Sequence, residues 1–235
     1  FLLPEEWGND KEIILHLAGA GPAAFIWING EKVGYTQDPR LPAEFSINKY
    51  LKKGENLLAI EVYKYCDGSY LEDQDFWRLS GIFRDVFIRA VPKISLWDIY
   101  AQPELDLSSH KGKINLHYTP ANFTEKRDSD YKINISVFSP LGKKLVNKNF
   151  KIKDFAVQLW YDESPIQYKV LVELSKKGKT IEAYKLPVAF RKIEVDGNKI
   201  LLNGKKFKIR GVNRHEFSPD QGWVISKEEM IKDLE

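Results

Sequence analysis

The stretch Ala24-Phe25-Ile26-Trp27-Ile28-Asn29-Gly30-Glu31-Lys32-Val33-Gly34-Tyr35-Thr36 decides the fold class of this chain. Five apolar residues run into Asn29-Gly30, the strongest two-residue hairpin signal, because both residues tolerate the positive φ that such a turn requires. The chain then returns through Lys32 to Thr36. Outward from this hairpin the same grammar repeats: short apolar runs bounded by turn residues, and no amphipathic helical pattern of normal length before residue 226. Strands are read at Glu12–Leu17, Leu57–Tyr65 and Asp85–Ala90, giving about five before Pro92. A jelly-roll sandwich uses about eight. The first domain, residues 1–92, is therefore read as a partial jelly roll.

Between Lys93 and Arg191 strands are read at Ile94–Tyr100, Lys113–Tyr118, Tyr131–Phe138, Lys144–Lys151, Tyr168–Leu174 and Thr180–Phe190. Six or seven short strands in about 100 residues suggest an immunoglobulin-like or fibronectin-like sandwich over residues 93–191. With Cys66 alone, the antibody disulfide is excluded, as are zinc sites that need several thiolates. Residues 192–235 hold two paired runs around Asp196-Gly197-Asn198 and Asn203-Gly204, then a polar loop and a capping box, Ser226-Lys227-Glu228-Glu229. A strand that ends near Arg210–Asn213, followed by a loop and a capped helix, reads as the start of a (β/α)8 barrel. The fold class is all-β: two sandwiches, then a truncated barrel start.

The chain begins Phe1-Leu2-Leu3-Pro4, and its one methionine is Met230. Both ends read as cuts through a longer protein, so no compartment is assigned. Hydrophobic content of 43% with 13% aromatic residues suits a packed core. The net charge of +3 comes from 36 basic and 33 acidic residues spread along the chain, without the basic face that phosphate neutralisation needs. Nucleic acid is not an expected partner. No stretch approaches the roughly 20 apolar residues that span a bilayer, so no membrane partner is expected and the chain is read as soluble.

Two segments carry chemistry. Asp67-Gly68-Ser69-Tyr70-Leu71-Glu72-Asp73-Gln74-Asp75-Phe76-Trp77-Arg78 sets four acids, one arginine and three aromatics between strands. Carboxylates accept hydrogen bonds from sugar hydroxyls, and aromatic faces cover the apolar side of a sugar ring. The bland alternative is an Asx-type turn with Trp77 packed beneath it. A complete hydrolytic site is not expected here: two acids about 5.5 Å, or roughly 6.5 to 9.5 Å, apart also need opposed pKa tuning on a rigid scaffold. The second segment is Arg210-Gly211-Val212-Asn213-Arg214-His215-Glu216-Phe217-Ser218-Pro219, in which His215 offers a hydroxyl partner and Arg214 orients a neighbouring carboxylate. A salt-bridged loop is its plain structural counterpart. His16 and His117 are read as ordinary sheet residues, and Trp27, Trp97 and Trp160 as core.

Asn29-Gly30-Glu31-Lys32-Val33-Gly34-Tyr35, LPAEF (Leu41–Phe45), DGSYLEDQDFWRLSGIFRDV (Asp67–Val86) and LLNGKKFKIRGVNRHEFSP (Leu201–Pro219) closely resemble glycoside hydrolase family 2, in particular its β-galactosidases. The resemblance implies a sugar-binding-like jelly roll, an immunoglobulin-like sandwich and a (β/α)8 barrel whose two catalytic glutamates lie beyond this chain, so no catalytic residue is assigned within it. It implies that Asp75 contacts the galactosyl unit and a bound monovalent cation, and that His215 contacts sugar hydroxyls and favours the transition state. It implies magnesium ligands farther along the barrel, a β-galactoside substrate, and a homo-oligomer for the full-length enzyme. The rival readings are a carbohydrate-binding module, a purely structural sandwich pair, and another family 2 hydrolase such as a β-glucuronidase.

Overall fold

The computed structural model describes residues 1–8, 10–72, 77–124, 130–147 and 151–235. The chain divides into two compact units, Phe1–Val91 with Val212–Glu235, and Pro92–Gly211. The first contains β1 (Lys11–Leu17), β2 (Ala20–Gly21), β3 (Ala23–Ile28), β4 (Glu31–Thr36), β5 (Ala43–Ser46), β6 (Leu58–Tyr63), the short helix α1 (Gly68–Leu71), β7 (Gly81–Ile82) and β8 (Val86–Pro92).

The opening hairpin forms as the sequence requires. Asn29 and Gly30 take φ of 53° and 87°, the two positive values of a type I′ turn. The pairing of β3 with β4 shifts by one residue between Ile26 and Trp27. Two three-stranded sheets, β5-β1-β8 and β4-β3-β6, face one another. Alternating side chains from each fill the gap: Ile13, Leu15 and Leu17 from β1 meet Ala24, Ile26 and Ile28 from β3, with Ile47 closing one end. Burying each Leu or Ile stabilises the fold by about 1.5 to 3 kcal/mol. The strands beyond the expected five are β2, β5 and β7. Two of these have only two residues, too few for a periodic pattern to register.

Among the described residues the second unit holds an immunoglobulin-like sandwich of seven strands: β9 (Ile94–Asp106), β10 (Lys111–Asn122), β11 (Tyr131–Phe138), β12 (Lys144–Asn147), β13 (Lys151–Ala156), β14 (Tyr168–Lys176) and β15 (Lys179–Val188). They form sheets β13-β10-β9 and β12-β11-β14-β15. The single strand read at Lys144–Lys151 is corrected. Its two ends belong to β12 and β13, which lie in different sheets, so the chain changes sheet there. Phe190, fully buried, is the aromatic centre of this core, with its ring edge-on to Tyr168 at 5.1 Å and to Phe155 at 5.5 Å. The reading of Trp27, Trp97 and Trp160 as core is corrected: each is half-buried and none belongs to either hydrophobic core, Trp27 sharing with Phe25 the face of β3 opposite Ile26 and Ile28. Trp160, for example, lies under the Arg191 guanidinium at 4.4 Å.

The two expected paired runs form a meander, β16 (Ile193–Asp196), β17 (Lys199–Leu202) and β18 (Lys205–Phe207), with turns at Gly197 and at Asn203-Gly204 in positive φ. The strand expected to end near Arg210–Asn213 is not formed. Residues 208–217 have no regular backbone pairing, because no strand of the described residues runs beside them. Helix α2 (Lys227–Leu234) follows, with the capping box in place: the Ser226 amide donates to Glu229 Oε2 at 2.7 Å, and the Glu229 amide donates to Ser226 Oγ at 3.1 Å. Among the described residues no helix is long and apolar enough to cross a membrane.

Candidate functional site

Within the first unit a cleft of about 580 Å³ opens between the loop after β4, the α1 loop and the segment before α2. Both segments singled out by their chemistry line it, although they are far apart in sequence.

The α1 loop is built on Asp67. Its carboxylate accepts from the Gly68 amide at 3.1 Å, capping α1, and from the Gln37 side-chain amide. Gln37 in turn accepts from the Tyr35 hydroxyl at 2.9 Å. This chain ties the α1 loop to β4, so Asp67 is engaged in holding the loop. Desolvation, followed by negative potential from Cys66 and Asp67, raises the Tyr35 phenol above its ordinary range. The Ser69 hydroxyl accepts from the Cys66 amide at 3.1 Å, and Ser69 and Glu72 face the cleft.

The opposite side is aromatic and cationic. Trp77 stacks on Phe217 with ring centroids 5.4 Å apart. It is 63% exposed, so it does not pack beneath the turn as the bland reading had it. Asp38 accepts from the Arg40 and Leu41 amides at 3.0 and 3.1 Å and shapes the turn after β4. Arg40 lays its guanidinium over the Trp223 ring at 4.7 Å. Its pKa is lowered by desolvation first and by the neighbouring Arg84 second, against a smaller opposing pull from Glu216.

His215 lines the cleft, between Arg214 and Glu216. Arg214 orients a carboxylate, as its residue type suggested. Its Nε and Nη2 both reach Asp233 Oδ2, at 2.9 and 2.5 Å, so the partner is on α2. Arg84 approaches Glu216 at 3.8 Å. Asp75, the other expected substrate and cation ligand, lies outside the described residues. Among the described residues no group of three His, Cys, Asp or Glu side chains is placed to hold a metal ion. The structure adds Gln37, Arg40, Lys64 and Arg84 to the lining. The turn residues Asp38-Pro39 between Gln37 and Arg40 mark a bend without saying what it faces, Arg84 lies in the Asp67–Val86 stretch, and nothing local to Lys64 marks it.

His16 and His117 are sheet residues, as read. His16 Nδ1 lies 2.7 Å from Glu44 Oε1, which also accepts from Arg89 at 2.8 Å, while His117 Nε2 lies 2.9 Å from Gln102 Oε1.

The cleft therefore combines hydroxyl-matching donors and acceptors with exposed aromatic surface, a composition suited to a sugar. Comparison with known proteins points the same way. The sugar binding domain of glycosyl hydrolases family 2 matches residues 1–92, a further glycosyl hydrolases family 2 model matches residues 93–191, and the family's TIM barrel domain matches residues 193–235. A β-galactosidase of Vibrio vulnificus is 37% identical over 99% of this chain, and one of Lactobacillus delbrueckii subsp. bulgaricus is 38% identical over 96%. The chain spans about a quarter of the length of these relatives, 24% and 23%. Among solved structures, a Bifidobacterium dentium β-glucuronidase matches all of this chain and 45% of its own, with a TM-score of 0.87 and 22% identity. That is a likeness of fold. Matched by three domains of one family in their order along the chain, this chain belongs to glycosyl hydrolases family 2.

Proposed function

We propose that this chain is part of a β-galactosidase and forms one wall of its galactoside site, while the chemistry is carried by glutamates outside it. The observation that carries this reading is the shared cleft: the α1 loop and the His215 segment, the two stretches most like those of β-galactosidases, border one cavity of the first unit. The proposed reaction is retaining hydrolysis through a galactosyl-enzyme intermediate. In it, His215 donates to sugar hydroxyls and gains strength as charge develops at the ring, and Asp75 accepts from a hydroxyl and would hold a monovalent cation.

The Bifidobacterium dentium structure similar in fold is a β-glucuronidase, whereas the Vibrio vulnificus and Lactobacillus delbrueckii relatives, above one-third identity, are β-galactosidases. The higher identity favours the galactoside. The test is hydrolysis by the intact enzyme. Nitrophenyl β-D-galactoside is expected to turn over far faster than the glucuronide, and the reverse order would defeat the reading. A charged hydrogen bond to a sugar hydroxyl is worth about 1.5 to 3 kcal/mol, so Asp75→Ala is expected to lower kcat/KM roughly ten- to 150-fold. A change under twofold would remove Asp75 from the site.

A further inference from the structure

His215 sits in a segment, 208–217, that has no regular backbone pairing. Side-chain anchors on either side of it help to hold its backbone in place, and these differ in strength. The Arg84–Glu216 approach at 3.8 Å is between exposed groups, and pairs of that kind contribute little. Arg214 is fastened to α2, and Phe217 rests on the exposed face of Trp77.

A further anchor is of a different kind. Backbone pairing between Ser218 and Gly222, at 2.7 and 2.9 Å, closes the chain into a tight turn that links Phe217 to Trp223. Gly222 has φ of +64°, and a Cβ there would come within 2.9 Å of Leu79, so the turn abuts the first domain closely. Trp223 then stands edge-on to Phe83 at 5.1 Å and under the Arg40 guanidinium at 4.7 Å. Arg40 is itself held: Asp38 accepts from its amide, and its carbonyl accepts from Arg84 Nη1 at 2.9 Å. With the cation on one face and Phe83 against it, Trp223 works as a plug in a socket of the jelly-roll domain.

We infer that Arg40 and Trp223 are positioning residues that fix where His215 stands in the cleft. The inference rests on the proposed role of His215 at the galactoside. It differs from a sugar-stacking role for Trp223, because the ring face that would stack carries a guanidinium. Misplacing a transition-state group by a fraction of an ångström costs rate more than ground-state binding.

The test is a double-mutant cycle in the intact enzyme with nitrophenyl β-D-galactoside, using Trp223→Ala, His215→Ala and the pair. Trp223→Ala is expected to lower kcat/KM at least tenfold, chiefly through kcat, and Trp223→Tyr to restore most of it by keeping an aromatic face under Arg40. The pair is expected to match His215→Ala alone within twofold, since the tryptophan acts through the histidine. If the two losses instead multiply, or if Trp223→Ala stays within twofold of wild type, the inference is overturned while His215 keeps its role. If His215→Ala is itself within twofold of wild type, the proposed role of His215 fails and the inference falls with it. Should Trp223→Ala not fold, Arg40→Met, which keeps the apolar stem and removes the cation, takes its place in the same cycle under the same criteria.

Discussion

Asn56 shows how much one side chain can hold. It is 1% exposed and makes four hydrogen bonds: its Oδ1 accepts from Asn29 Nδ2 at 2.8 Å and from the Lys52 amide at 2.9 Å, and its Nδ2 donates to the Lys52 and Gly54 carbonyls at 3.1 Å each. Asn29, the first residue of the type I′ turn, also donates to the Tyr50 carbonyl at 2.8 Å and accepts from the Leu57 amide at 3.0 Å. The two asparagines thus lock the first hairpin to the loop before β6. Asn56→Leu removes all four bonds from a buried position, at about 0.5 to 1.5 kcal/mol each, and is expected to cost about 2 to 4 kcal/mol in urea unfolding with an unchanged m-value. A loss below about 0.5 kcal/mol would show that water replaces the network. The dipeptide Asn29-Gly30 announced its turn from backbone preference alone. Its bond to Asn56 was not legible, since nothing local to either residue names the other.

Helix α2 was legible to the residue at its N-terminus, because Ser226 and Glu229 satisfy each other's backbone amides within one turn. The Glu229 carboxyl is held below its ordinary range, first by the Ser226 amide and then by the Ser226 hydroxyl. A depressed carboxyl stabilises the fold above its unfolded pKa, and that contribution is lost as pH falls through the folded value. Amide protection in α2 is therefore expected to weaken on acidification below about pH 4, and Glu229→Gln, which removes the titrating carboxyl, should remove most of this pH dependence. Equal pH dependence in the variant would place the acid sensitivity elsewhere. The neighbouring strand expectation failed for the opposite reason. A strand is completed by a partner, and Ile209 and Val212, apolar enough to suggest one, are exposed beside no other strand of the described residues. The change of sheet between β12 and β13 was hidden in the same way: a period of two persists whichever sheet a strand joins.

The two units have separate cores, one on β1 and β3 and one on β11, β14 and Phe190. Phe190→Ala is expected to cost about 3 to 5 kcal/mol and to speed amide exchange in β9 to β15, leaving protection in β1 to β8 unchanged. Exchange that accelerates equally in both would mean that the units open together. A coarser consequence concerns turnover: with no catalytic glutamate assigned to it, this chain by itself is expected to leave nitrophenyl β-D-galactoside at its buffer rate, and clear turnover would overturn the proposed division of labour. What the amino-acid sequence determined on its own was the all-β class, the main strands, the turns at Asn29-Gly30 and Asn203-Gly204, and the cap of α2. Each of these is encoded in neighbouring residues through side-chain alternation, positive φ or reciprocal capping. Only the tertiary structure decided that the α1 loop and the His215 segment share a cleft, that Arg40 and Trp223 meet beside it, and that strands paired by period divide between sheets. These depend on burying apolar faces between elements distant in the chain, where the gain comes from the whole packed set and no single stretch specifies its partner.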